Sequence, residues 1–283
     1  MTGTSRRGLL AALIVALPVL VGVGYSALAS LGLTGPGAAG FESARLVSVL
    51  REPAVWAGLA WSLWVAAAST AVAAAGAALV AALFRGGAGR DRVARLLAVL
   101  PLPIPHLAAA VAGLLILGQS GLIARLLASL GLLSSPSGMP PLVYDRAGLG
   151  LILTLSWKEF PFLALVAFSV VAARGERLEE VARTLGAKPV AVFRRVTWPL
   201  LWRGLLPAVV AVFVFVASTY EATAVLAPSD PLALPLLTLE RYTDADLSRR
   251  GDAFVLVLLG MGVSLGAVAV HEWARSRWDR FEP

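Results

Sequence analysis

The chain has 283 residues, of which 58% are hydrophobic and only 14% charged, and its mean hydropathy is +0.81. One or two soluble domains would fit that length but not that balance. Zero cysteines exclude disulfides, Cys-ligated zinc and thiol catalysis, and the net charge of +7 is better explained by orientation in a membrane than by nucleic acid.

Crossing a bilayer as a helix takes about 20 predominantly apolar residues. Runs of that length recur, and the alternating pattern of an outer-membrane barrel does not occur. The pattern predicts an all-α, polytopic membrane protein, a single transmembrane domain over 1–283, with six spans at about 8–31, 55–84, 97–118, 147–173, 203–227 and 252–272. "TSRRGLL" ahead of the first run, with "ALA" at 27–29, also resembles a signal peptide. The run is longer than a typical signal core, which favours a retained first helix. The second span, "WVAAASTAVAAAGAALVAAL", is rich in small residues that let helices approach closely in lipid. Between the third and fourth spans, 119–146 reads as an irregular loop with a short interfacial helix near 122–132. Residues 228–251 form a second loop, with "APSDPLALPLL" followed by a mixture of charges.

Basic residues set the orientation. With both termini in the cytoplasm, sixteen of the 24 Lys and Arg fall in inside segments, among them Arg6, Arg85, Arg174 and Arg280. Seven fall outside, and Lys158 lies within a span. The asymmetry follows the positive-inside rule.

The segment 174–200 interrupts the apolar chain between the fourth and fifth spans. Leu178, Val181, Ala182 and Leu185 recur at helical spacing and make one apolar stripe. Glu176, Glu179 and Glu180 lie toward the N-terminal half, as the helix dipole favours. Gly186 permits a left-handed stop, Pro189 suits the first position of a second helix, and Pro199 marks a bend into the next span. The segment therefore reads as a helix–turn–helix. An amphipathic helix resting on anionic headgroups is one reading of it.

Spacing supplies another. Glu180-Val181-Ala182, three residues, Gly186, nine residues, then Val196-Thr197-Trp198-Pro199 resembles the EAA motif of ABC-importer permeases. The departures are apolar swaps at Val181, Val196 and Trp198. "PLPIPHLAAAVAGLLILGQSGLIARLL" and "GLGLILTLSWKEFPFLAL" resemble the branch of these permeases that handles thiamine, ferric iron, polyamines and sulfate. The resemblance implies a type I importer transmembrane fold with a cytoplasmic coupling helix that docks on an ATPase subunit through Glu180, Ala182, Arg183, Leu185, Gly186 and Pro199. It implies two ATPase subunits, a second permease chain (a relative or a copy), an extracytoplasmic solute-binding protein and residence in the bacterial inner membrane. It also implies no cofactor in this chain, since ATP and Mg would be bound by the ATPase. No phosphate loop is present here.

Ionisable groups inside spans are costly and therefore informative. Lys158 and Glu159 in the fourth span, and Tyr220 and Glu221 in the fifth, read either as a translocation path or gate, or as a structural pairing such as Lys158 with Glu221. His106 reads as a hydrogen-bonded packing residue, and Trp157, Trp198, Trp202, Trp273 and Trp278 as interface anchors or packing residues. A membrane-embedded lipid-modifying enzyme would need a catalytic cluster at a membrane face. A secondary transporter would need an inverted repeat.

Overall fold

The computed structural model describes residues 3–35, 37–38, 40–84 and 89–278, with side chains from residue 8 onward except at 174–177 and 278. The charges expected to orient the chain at Arg6, Arg85, Arg174 and Arg280, together with Glu176 and Trp278, lie outside the described side chains. Among the described residues the secondary structure is helical, with no strand. The helices are α1 (Gly3–Ser30), α2 (Ser43–Leu50), α3 (Pro53–Leu83), α4 (Gly89–Val99), α5 (His106–Leu117), α6 (Leu122–Ser129), α7 (Leu149–Val170), α8 (Glu176–Thr184), α9 (Pro189–Val192), α10 (Trp198–Ala217), α11 (Glu221–Leu226), α12 (Leu234–Thr243) and α13 (Arg250–Trp278). Two π-helical turns, Val171–Gly175 and Phe193–Thr197, join α7 to α8 and α9 to α10 without a break.

Six stretches among the described residues are long and apolar enough to cross a membrane: Gly8–Ser30, Pro53–Leu83, His106–Ser129, Leu149–Ala173, Pro189–Ala217 and Leu247–Arg277. Two of the predicted boundaries need correction. The third span does not run from 97. Helix α4 ends at Val99, residues 100–105 turn, and α5 begins at His106. Pro101, Pro103 and Pro105 lack the amide hydrogens a helix needs, and each pushes the residue before it out of the α region. The fifth span does not reach 227, because the helix ends at Ala217 and α11 starts anew at Glu221. The helix expected near 122–132 is α6, whereas α12 arises in a stretch read from the sequence as loop.

The chain folds as two compact units: Met1–Leu59 with Leu232–Leu265, and Ala60–Pro231 with Gly266–Pro283. In the first, the apolar side chains of α1 from Leu9 to Val21 stand largely exposed, Val15 at 76%; this is the surface lipid would cover. A charge network ties the polar end of this unit together. Arg241 on α12 pairs with Glu52 and lies 3.7 Å from Asp252 on α13. Arg45 on α2 lies 3.6 Å from Asp252, pairs with Glu42, and reaches the carbonyl of Ala29 at 3.4 Å. Gly251 lets Arg45 lie flat there, since a Cβ would stand 2.0 Å from its Nη1. Nearby, Asp246 caps a short 3-10 turn, and the hydroxyl and amide of Ser248 hold its carboxyl below the usual carboxylate range.

In the second unit α7 is the central element, with its buried face running from Gly150 to Ala167. Neighbouring helices come close where glycine allows it. A Cβ at Gly113 of α5 would stand 2.4 Å from Thr154 Oγ1, and one at Gly204 of α10 would stand 2.5 Å from Val170 Cγ2. Such small-residue contacts replace hydrophobic burial as the packing force in lipid. The indole N–H groups of Trp61 and Trp64 donate to the carbonyls of Arg146 and Ala147 at 2.8 and 2.9 Å. They fix the turn that feeds α7.

Removing one member of a largely buried charge network leaves its partners unneutralised. Arg241→Ala is expected to destabilise the first unit by about 3 kcal/mol, read as a lower unfolding midpoint of the detergent-solubilised protein. A midpoint equal to wild type would show that the network contributes nothing net.

Candidate functional site: the Gly186 hairpin

The interrupting segment is built as a rigid hairpin. Helix α8 ends in a Schellman motif: Gly186 adopts φ +83°, its amide donates to Arg183 O at 2.9 Å, and the amide of Ala187 donates to Ala182 O at 3.0 Å. Lys188 is extended, with ψ 151°, and Pro189 opens the returning helix. Pro199, near the start of α10, removes the amide that would bond the carbonyl of Arg195. The preceding residues widen into the π turn Phe193–Thr197. The expected bend at Pro199 is thus an adjustment inside a continuous helix.

One side chain joins the two arms. Glu179 is 4% exposed; its Oε1 accepts from Thr197 Oγ1 at 2.5 Å, and its Oε2 accepts from Arg183 at 3.2 Å. Thr197 is itself buried. The sequence argument singled out Glu180 and left Glu179 as helix-dipole charge. Adjacent helical residues point about 100° apart, so only one of the two can face the other arm. Glu180 is exposed, and Ala182 is half-buried. The signal for Glu179 lay in the hairpin itself, since it sits about two turns before the apex and Thr197 about two turns after Pro189.

The tip is apolar and bare. Leu178, Val181, Leu185 and Val190 are 48%, 52%, 82% and 71% exposed. A soluble hairpin would fold such a stripe against something, and here no described residue covers it.

The intramembrane polar residues separate into two groups. Lys158 and Glu159 are buried in the second unit. Lys158 Nζ donates to Leu102 O at 3.4 Å, in the proline turn before α5, and Glu159 Oε1 lies 2.8 Å from His106 Nε2. The His106 ring also rests against Phe215, with centroids 4.9 Å apart. Tyr220 and Glu221 are exposed, and Glu221 makes no ion pair among the described residues. The pairing of Lys158 with Glu221 therefore does not form. The partner of Glu159 is His106, which the sequence reading treated on its own.

If the Glu179 carboxylate holds the arms together, Glu179→Ala removes its short hydrogen bond with Thr197 across the arms, at a cost of about 1–3 kcal/mol. Amide exchange across Val181–Ala187 is expected to accelerate by about tenfold, with a smaller change for Glu179→Gln. Unchanged exchange would show that the arms are held by other contacts.

Comparison with known proteins gives this geometry its setting. Residues 74–279 match the family described as the binding-protein-dependent transport system inner membrane component. The molybdenum transport system permease protein ModB of Mycobacterium tuberculosis is 29% identical over 258 residues, covering 88% of this chain and 92% of its own. A "Probable molybdenum ABC transporter permease protein" of Haloferax volcanii is 31% identical over 192 residues, covering 68% of this chain and 64% of its own. A bacterial ABC transporter involved in import of the acidic polysaccharide alginate has the same fold, with TM-score 0.71 at 16% identity, over 99% of this chain and 98% of that one. With six membrane-length helices and a family match across most of its length, the chain belongs to the binding-protein-dependent transport system inner membrane components, as a multi-pass permease subunit of an ABC importer.

Proposed function

We propose that the Gly186 hairpin is the element through which this permease receives work from an ATPase subunit, and that the solute it moves is a molybdate-class tetrahedral oxyanion. The bare apolar tip carries the first half of this reading. Leu185, 82% exposed at the apex of a Schellman-closed turn, is left uncovered by the described residues. A groove on a cytoplasmic ATPase would bury it, along with Val181 and Ala182, while Glu180 and Arg183 meet the polar rim. Gly186 gives the tip its shape, and Pro199 stands where the arm passes into the span. On this reading both termini are cytoplasmic, ATP and Mg are bound by the ATPase, and the whole chain works as one permease domain. It pairs with a second permease chain and takes its solute from an extracytoplasmic binding protein.

The solute class rests on the molybdenum permeases that align over most of the chain. The interior is compatible with it. Lys158 is held by a carbonyl rather than a carboxylate, and its positive charge favours an anion nearby. Tyr220 and Glu221 are exposed at a break between helices, where contact with lipid would be costly, and so are assigned to the wall of a polar cavity. The buried Lys158 and Glu159 hold the proline turn beside that wall and act on the path as a gate.

Three outcomes are expected. Leu185→Glu puts a charge into the docking groove, so the ATPase subunit should fail to co-purify with an otherwise folded permease; normal co-purification would remove the hairpin from the interface. In cells lacking their own high-affinity molybdate uptake, the complete transporter should restore molybdenum accumulation, measured by elemental mass spectrometry. Glu221→Gln should lower that accumulation at equal protein level. Sulfate-stimulated ATPase activity without a response to molybdate would reassign the solute.

A further inference from the structure

We infer that the hairpin carries a second surface, on its returning arm and sharing only Val190 with the tip, that binds the phosphate headgroup of an anionic phospholipid. On the returning arm, Lys188, Val190, Ala191, Arg194 and Arg195 line an open depression of about 370 Å³. All three cations are exposed, and among the described residues none makes an ion pair or hydrogen bond. Three cations around one depression repel one another, and none of them is paired with a carboxylate among the described residues. Glu179, the buried acid that joins the two arms, is engaged by Thr197 and Arg183. An anion from outside the chain supplies what is missing.

Membrane depth identifies the anion. Trp198 and Trp202 follow directly on the same continuous helix. Their rings stack at 6.3 Å with an interplanar angle of 14°, and they are 46% and 40% exposed. Exposed tryptophans at the end of an apolar span lie at headgroup level. Arg195 precedes Trp198 by three residues, a rise of about 4.5 Å along a helix, so the cations stand in the phosphate layer. Val190 and Ala191 give the depression an apolar part that suits the glycerol and upper acyl carbons of a lipid and would be wasted on a free ion. Basic pockets beside spans are recognised sites for anionic headgroups. The apolar tip and the basic depression therefore suit different partners: a protein groove at the apex and the bilayer on the returning arm. Because Arg194 and Arg195 lie in the π turn that ends at Thr197, a bound lipid grips the arm that Glu179 ties to α8.

The test reads lipid rather than solute, so its failure is separate from any failure of the molybdate assignment. The complete transporter, permease with its ATPase, is placed in nanodiscs of mixed phosphatidylglycerol and phosphatidylcholine, and retained lipids are counted by native mass spectrometry. Wild type is expected to enrich phosphatidylglycerol. Each cation near an anionic surface adds comparably to binding, so K188Q/R194Q/R195Q is expected to lower that enrichment by about 100-fold, while R194K/R195K keeps most of it. No enrichment by wild type, or equal enrichment by the neutralised variant, overturns the proposal. Loss of the ATPase from the neutralised variant with lipid enrichment unchanged would assign the depression to the protein interface. Displacement of phosphatidylglycerol by millimolar inorganic phosphate would assign it to a free oxyanion.

Discussion

Inside a bilayer no water is available to satisfy backbone N–H and C=O groups, so each break in a helix has to be closed by the protein itself. Long uninterrupted helices such as α3 meet this condition on their own. Where the chain breaks, this molecule supplies specific partners. The proline turn before α5 leaves the carbonyl of Leu102 to accept from the side chain of Lys158. The turn into α7 leaves carbonyls at Arg146 and Ala147 that the indoles of α3 bond. The hairpin closes its own end through the Schellman bonds of Gly186 and Ala187. Much of the polar chemistry in the second unit can be understood as the closing of breaks that the prolines and glycines impose.

The same constraint gives the hairpin the stiffness that the coupling role proposed for it requires. An apolar tip on a frayed loop would absorb a push by deforming. Here α7 runs without interruption through a π turn into α8, and α9 runs through another into α10. The two arms are cross-linked by Glu179 and Thr197 close to where they leave the tip. A displacement at Leu185 is therefore carried by two continuous helices into the packed region where Gly204 meets Val170. Two-state movements of transporters depend on stiff elements of this kind, because packed interfaces switch between arrangements rather than bend.

The features legible in the sequence were those set by local rules. Six long apolar stretches, the left-handed stop at Gly186 and the start of a helix at Pro189 follow from hydropathy and backbone preferences, and the structure contains each of them. The span starting at 97 was misread because hydropathy averages over Pro101, Pro103 and Pro105, whereas the backbone registers each one. Helix α12 was missed because Pro228, Pro231 and Pro235 together resembled loop chemistry, though Pro235 sits where a helix tolerates it. The identity of the buried glutamate could not be read from either arm alone. It depends on which face of α8 meets Thr197, a contact between residues 18 positions apart.

The same reasoning bears on the interior charges. His106 is the first residue of α5, and Glu159 lies mid-way along α7, so their hydrogen bond holds the start of one helix against the middle of another. Lys158, the neighbouring residue, holds the turn just before His106. Two adjacent side chains of α7 thus grip both sides of one proline break. Any motion that carries α5 away from α7 has to part the His106–Glu159 hydrogen bond and expose a carbonyl together, in a low-dielectric setting where each is costly. A break held at both ends in this way is firm, and α11, which begins at the exposed Glu221, packs against α5 beside it.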